Sequence, residues 1–161
     1  MHGSAFRAAV VQLSCVALFG ASASAETVSF GDGALGIEFA GAAEGFGVRR
    51  VLNRLGGGAS FVRADGGGAD LWELEFHARG ADGSVETARI DNRAGASCRA
   101  VRGDGRLSLR WDGLSLPGET NVVDVVAVVK MTPDGASADW AIAVRNRSAR
   151  WGAVRDAVPV P

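Results

Sequence analysis

The sequence predicts an all-β fold, an antiparallel β-sandwich of about ten strands in a single domain behind a cleaved leader. Three observations carry that expectation. Asp-Gly recurs at Asp32-Gly33, Asp65-Gly66, Asp82-Gly83, Asp104-Gly105, Asp112-Gly113 and Asp134-Gly135. The dipeptide suits tight reversals, because Gly takes positive φ freely and Asp tolerates it while bonding its own backbone. Short alternating or continuous apolar runs lie between most of these sites, as in strands. No window carries a capped apolar stripe at helical spacing.

The first segment reads as a secretory signal. Arg7 is the only charge before an apolar stretch, Ala8 to Gly20, and the small residues Ala21-Ser22-Ala23-Ser24-Ala25 follow. That order is a positive end, a short apolar core and an A-x-A cleavage site at Ala25. The apolar stretch of about 13 residues is short of the roughly 20 that span a bilayer. The expected organisation is therefore 1–25 as signal peptide and 26–161 as the β-sandwich domain, secreted or periplasmic, with no membrane partner after cleavage.

Strands are expected in order along the remainder. Leu35 to Phe39 and Phe46 to Leu52 form a hairpin across the Gly-rich turn 41–45. Short strands follow at Ser60 to Arg63 and, after Gly66-Gly67-Gly68, at Leu71 to Ala78. In the latter Trp72, Leu74 and Phe76 share one face, and Leu71, Glu73, Glu75 and His77 the other. Val85 to Ile90 follows the Asp82-Gly83 turn, and Ser97 to Val101 pairs with Leu107 to Trp111 across Gly103-Asp104-Gly105. Leu107, Leu109 and Trp111 point inward. Val122 to Met131 is apolar on both faces apart from Asp124 and Lys130, so it reads as a central strand covered on both sides. Pro133-Asp134-Gly135 turns the chain into Trp140 to Val144, with Trp140, Ile142 and Val144 inward. A last strand starts at Trp151 and runs into Val158-Pro159-Val160-Pro161, an edge strand or the entrance to a further domain.

Composition excludes several classes of function. Removing 25 residues from 161 leaves a length that buries one sizeable core. The mature net charge is about −2 with charges interspersed, so neither nucleic acid nor an anionic surface is an expected partner. Cys98 is the one cysteine beyond the leader, which precludes an internal disulfide and suggests a small buried hydrophobe. The Ala/Gly/Arg-rich composition, with Lys130 the only lysine, fits a high-GC bacterial genome, and Asn146-Arg147-Ser148 then reads as a turn rather than a glycosylation site.

Glu73, Glu75 and His77 are the strongest catalytic candidates. Their two-residue spacing places neighbouring side chains about 7 Å apart on one face. Two carboxylates at that range suit acid–base cleavage of a glycosidic bond, and with the imidazole they suit a metal. The competing reading, which the sequence favours, is a solvated outer face whose carboxylates meet Arg89, Arg99 or Arg102 on a neighbouring strand. The Gly triplets lack the Lys-Ser/Thr and helix of a phosphate loop, and no nucleophile has a base and orienter. No metal site or cofactor is expected. Trp72, Trp111, Trp140 and Trp151 could stack on sugar rings; three lie in register with core aliphatics, which leaves Trp151 as the candidate exposed, ligand-binding aromatic.

Several segments together resemble a known family. They are Leu35-Gly36-Ile37-Glu38-Phe39, Gly45-Phe46-Gly47-Val48, Asp70-Leu71-Trp72-Glu73-Leu74-Glu75-Phe76, Leu107-Ser108-Leu109-Arg110-Trp111 and the run Trp140 to Ser148. The series is similar to the N-terminal β-sandwich, of the galactose-mutarotase-like super-sandwich type, that precedes the catalytic barrel in large bacterial glycoside hydrolases. The resemblance implies a secreted, carbohydrate-associated protein whose acid and nucleophile belong to a downstream catalytic domain. Mutarotases of this type use two histidines and a glutamate, whereas His77 alone follows the leader. The expected function is thus a non-catalytic accessory domain of a carbohydrate-active enzyme, with carbohydrate and a downstream catalytic domain as partners. The alternative is a free-standing periplasmic or extracellular module that binds glycan or protein.

Overall fold

The structure, a computed structural model, describes residues 27–55, 59–62, 70–95 and 97–157, of which the stretches 59–62 and 153–157 are described as backbone. Among these residues the chain is all-β and every strand pairing is antiparallel. The first sheet runs β1 (Val28–Phe30), β2 (Leu35–Phe39), β3 (Val48–Asn53), β4 (Ala59–Val62). The remaining strands are β5 (Glu73–Arg79), β6 (Val85–Asp91), β7 (Ser97–Gly103), β8 (Arg106–Leu116), β9 (Glu119–Met131), β10 (Ala138–Asn146) and β11 (Ala153–Ala157). They form a second sheet in the order β10-β9-β8-β7 and a third in the order β11-β5-β6. A single 3-10 turn at Ala42–Glu44 fills the β2–β3 connection. β1 is a strand the sequence reading did not anticipate: three residues are too few to show a period.

Most of the described Asp-Gly sites are reversals. Asp104 and Gly105 both take positive φ, 49° and 69°, and join β7 to β8 as a two-residue loop with Gly103 opposite Arg106. In the β5–β6 loop Asp82 accepts bonds from the Ser84 amide at 2.9 Å and hydroxyl at 2.6 Å. Asp134 does the same between β9 and β10 for Ala136 N and Thr132 Oγ1. Asp32-Gly33 lies in the β1–β2 connection, whereas Asp65-Gly66 and both Gly triplets lie outside the described residues. Asp112-Gly113 is a correction. It sits within β8, at a register shift between Trp111 and Leu114, with Gly113 at φ 71°. It is a β-bulge, and the actual β8–β9 reversal is Pro117-Gly118.

One apolar core joins residues of all three sheets. Ile37 and Phe39 enter from the first, Leu74 and Phe76 from the third, and Leu107, Leu109, Trp111, Val123, Val125, Ala127 and Val129 from the second. Each fully buried aliphatic of this kind contributes on the order of 1.5–3 kcal/mol. β9 is central in its sheet, but the expectation that both its faces are covered is corrected. Val123, Val125, Ala127 and Val129 are buried, while Val122, Asp124, Val126 and Val128 on the other face are half-exposed. The continuous apolar run therefore reflects β-branched residues on an open face as well as a core.

Asn92, immediately after β6, is the one buried polar side chain among the described residues, at 0 % exposure. Its amide donates to Gly45 O at 3.0 Å and its carbonyl accepts from Leu71 N at 2.9 Å. Its backbone carbonyl accepts the Trp111 indole at 2.8 Å, and its backbone amide donates to Trp72 O. One residue thereby ties the β2–β3 connection, the entry to β5 and the centre of β8 together. Around it Trp72 and Trp111 stand perpendicular with centroids 5.3 Å apart, and Phe46 meets Trp111 edge-on at 5.9 Å.

Candidate functional site

Alternation along β5 sends Leu74, Phe76 and Ala78 into the core and sets Glu73, Glu75 and His77 in one outward row. The β5–β6 register places Arg89 opposite Glu75 and Thr87 opposite His77. Glu75 lies at the middle of the resulting network. One carboxylate oxygen is 3.0 Å from His77 Nε2, and the other accepts from Arg89 Nε at 2.8 Å and pairs with Nη2 at 2.7 Å. The Arg89 hydrogen bond, reinforced by charge from Arg89 and His77, holds the Glu75 carboxyl below the usual carboxylate range. A carboxyl with a lowered pKa is the poorer proton donor to a glycosidic leaving group.

Of the arginines anticipated as partners, only Arg89 reaches this row. Arg99 pairs with Asp112 at 3.0 Å, and the Arg102 guanidinium donates to the Ser29 carbonyl, which fastens β7 to β1. Among the described residues no three His, Cys, Asp or Glu side chains converge as a metal site. Cys98 is half-buried, and burial together with the Asp112 charge pushes its thiol up, away from the thiolate a nucleophile requires.

Trp151 corrects the candidate ligand-binding aromatic. It is 1 % exposed. Its indole donates to Pro117 O at 3.2 Å, and Ser148 Oγ accepts from its amide at 2.7 Å. Asn146 Nδ2 bonds its carbonyl, and the Arg150 guanidinium lies 5.1 Å from the ring centroid. The Asn146-Arg147-Ser148 turn, with Asn146 Oδ1 accepting from Ser148 N at 2.9 Å, folds the segment inward. The exposed indole is instead Trp140, 42 % exposed and resting against Phe39 with centroids 5.8 Å apart. Its position follows the predicted inward register, but β10 is a sheet edge, and among the described residues no strand lies beyond it to complete the cover.

A second polar cluster sits at the β8 bulge. Asp124 accepts from Gly113 N at 2.9 Å and from both terminal nitrogens of Arg147, which also donates to Asn121 O. The Arg147 hydrogen bonds, helped by the Gly113 amide, lower the Asp124 carboxyl to about 2. A depressed folded-state value means that the contribution is present above the unfolded value near 4 and is lost as pH falls through about 2. Asp124→Asn is expected to lose about 1 kcal/mol at pH 7, discounted for solvent contact, and to flatten the acid limb between pH 4 and 2. Urea midpoints measured across that range check it. The cluster is structural, because every carboxylate oxygen is already engaged.

Set against family models, curated proteins and solved structures, the chain matches none.

Proposed function

We propose that the chain is a non-catalytic β-sandwich domain of a secreted carbohydrate-active enzyme of the glycoside hydrolase kind, accompanying a catalytic domain. The observation that carries the non-catalytic part is the engagement of the Glu73–Glu75–His77 row: one oxygen of its central carboxylate is taken up by His77 and the other by Arg89. The association with carbohydrate rests on the resemblance of the strand series to the galactose-mutarotase-like super-sandwich. The shared core of three antiparallel sheets supports reading them as the layers of such a sandwich. Secretion rests on the leader, cleaved near Ala25.

A second reading, a free-standing glycan-binding module, is favoured by one observation: Trp140 offers an indole at the surface. A single experiment addresses both. The protein is incubated with a panel of polysaccharides, and reducing ends and bound protein are measured. No hydrolysis is expected, together with saturable binding that Trp140→Ala weakens at least about tenfold. Hydrolysis abolished by Glu75→Gln would overturn the non-catalytic reading, and absence of binding to every glycan would overturn the module. The gene beyond codon 161 separates the readings: a continuing frame with a glycosidase domain supports the accessory role, and a stop codon overturns it.

A further inference from the structure

We propose that β10 is the contact edge of a two-fold dimer, in which two copies pair β10 with β10 antiparallel about Ile142. The inference depends on neither functional reading above.

Among the described residues β10 pairs with β9 on one side only. Its nine residues keep an unbroken register from Ala138 opposite Met131 to Asn146 opposite Val123, with no bulge to bend the edge away. Between Asp139 and Arg145 stand five uncharged residues, Trp140-Ala141-Ile142-Ala143-Val144. Long, regular, apolar edges are what sheet proteins ordinarily avoid. The other edges here are guarded. β1 has three residues, β4 four, β11 five with Arg155 and Asp156 among them, β6 carries Glu86, Arg89 and Asp91, and β7 spends Arg102 on Ser29.

The hydrogen-bond phase of β10 is set at both ends. Arg147 N donates to Val122 O at 2.7 Å, and Thr132 N donates to Ser137 O at 3.0 Å. Odd-numbered residues therefore bond β9, and Trp140, Ile142 and Val144 present their N–H and C=O groups to the free edge. A two-fold axis at Ile142 sets Ile142 against Ile142 and Trp140 against Val144. Both are narrow pairs that exchange two main-chain hydrogen bonds.

Charge selects this centre over the others. The Ile142 axis brings Asp139 opposite Arg145 of the second copy, twice, on the outward face where both are exposed. Neither residue makes an ion pair within the described chain. Their neighbours on β9 are Lys130 and Asp124. The row across the seam then alternates in sign: Lys130, Asp139, then Arg145 and Asp124 of the second copy. An axis at Trp140 or Val144 leaves Asp139 and Arg145 unmatched. Self-complementarity of one patch is the signature of an isologous contact.

Sedimentation of the protein over about 1–500 μM tests the proposal. A dimer is expected, with an emission shift from Trp140 on association, since Trp72, Trp111 and Trp151 are buried already. Asp139→Arg and Arg145→Asp singly place like charges opposite each other at two sites and weaken the dimer about tenfold or more. The double swap returns opposite charges across the seam and recovers part of the loss, the remainder being the like charges it sets beside Lys130 and Asp124 within each copy; because both positions are exposed, all variants keep the parent circular dichroism. A monomer at every concentration overturns the proposal. So does a dimer that the single reversals leave unchanged, or one that the double swap leaves no tighter than either single reversal.

Discussion

Asn92→Ala is expected to cost about 3 kcal/mol and to lower the thermal midpoint by roughly 10 °C. The substitution removes the acceptor of the Leu71 amide and the donor to the Gly45 carbonyl. Both lie where water does not reach, and each orphaned backbone group costs about 1–3 kcal/mol. The main-chain bond to Trp111 Nε1 survives in principle, but its geometry is held by the same side chain. Urea denaturation followed by tryptophan emission measures the loss. A shift under about 1 kcal/mol would mean that Asn92 does not bind the three sheets together. Asn92→Asp adds a pH signature. The aspartate keeps an acceptor for Leu71 but, ionised, turns a negative oxygen toward Gly45 O. Burial raises its folded pKa above the unfolded value near 4, so its stability is greatest below that pH and falls as pH rises through the shifted value. That slope is opposite to the one Asp124 produces.

Gly45→Ala is expected to cost about 4 kcal/mol, a large share of the 5–15 kcal/mol typical of a domain. Gly45 takes φ 71°, where an L side chain is strained by about 1–2 kcal/mol. A Cβ there would lie 2.0 Å from the Asn92 carbonyl oxygen and 2.7 Å from its carbon. Neither backbone atom can retreat without moving the Trp111 indole that it accepts. The remainder of the cost is that overlap. Gly105→Ala is the control, because φ is 69° but no heavy atom lies within 4 Å of the new Cβ. Its expected cost is about 1 kcal/mol, the conformational part alone. Equal losses at the two sites, measured by chemical denaturation, would refute the close-contact argument.

What the sequence makes legible here is whatever depends on neighbours two residues away. The alternation Trp72, Leu74, Phe76 and the Asp82-Gly83 and Asp104-Gly105 turns suffice to lay out β5 to β8. The Glu73, Glu75, His77 row follows from the same period, and its partner Arg89 follows once the Asp82-Gly83 turn sets the register. Asn92 was invisible, because an Asn between two strands looks like a solvated turn residue; only the meeting of three sheets buries it. The two misjudged tryptophans have one cause. Trp140 has a core-facing register yet stands at an edge, and Trp151 has no register but is drawn inward by Asn146 and Ser148. Exposure is a property of what lies beyond a strand, which local pattern does not encode.

The bulge at Asp112-Gly113 lets β8 carry its apolar residues in two phases. Leu107, Leu109 and Trp111 face the core on odd positions, and Leu114 and Leu116 face it on even ones. One surplus residue opposite Asp124 is what brings the second set back into step. At this place the chain is constrained in its count of residues more than in their kind. A one-residue deletion there would leave every remaining side chain unaltered in chemistry, and would still turn either Leu114 and Leu116 or the tryptophan at the centre of the core out toward water.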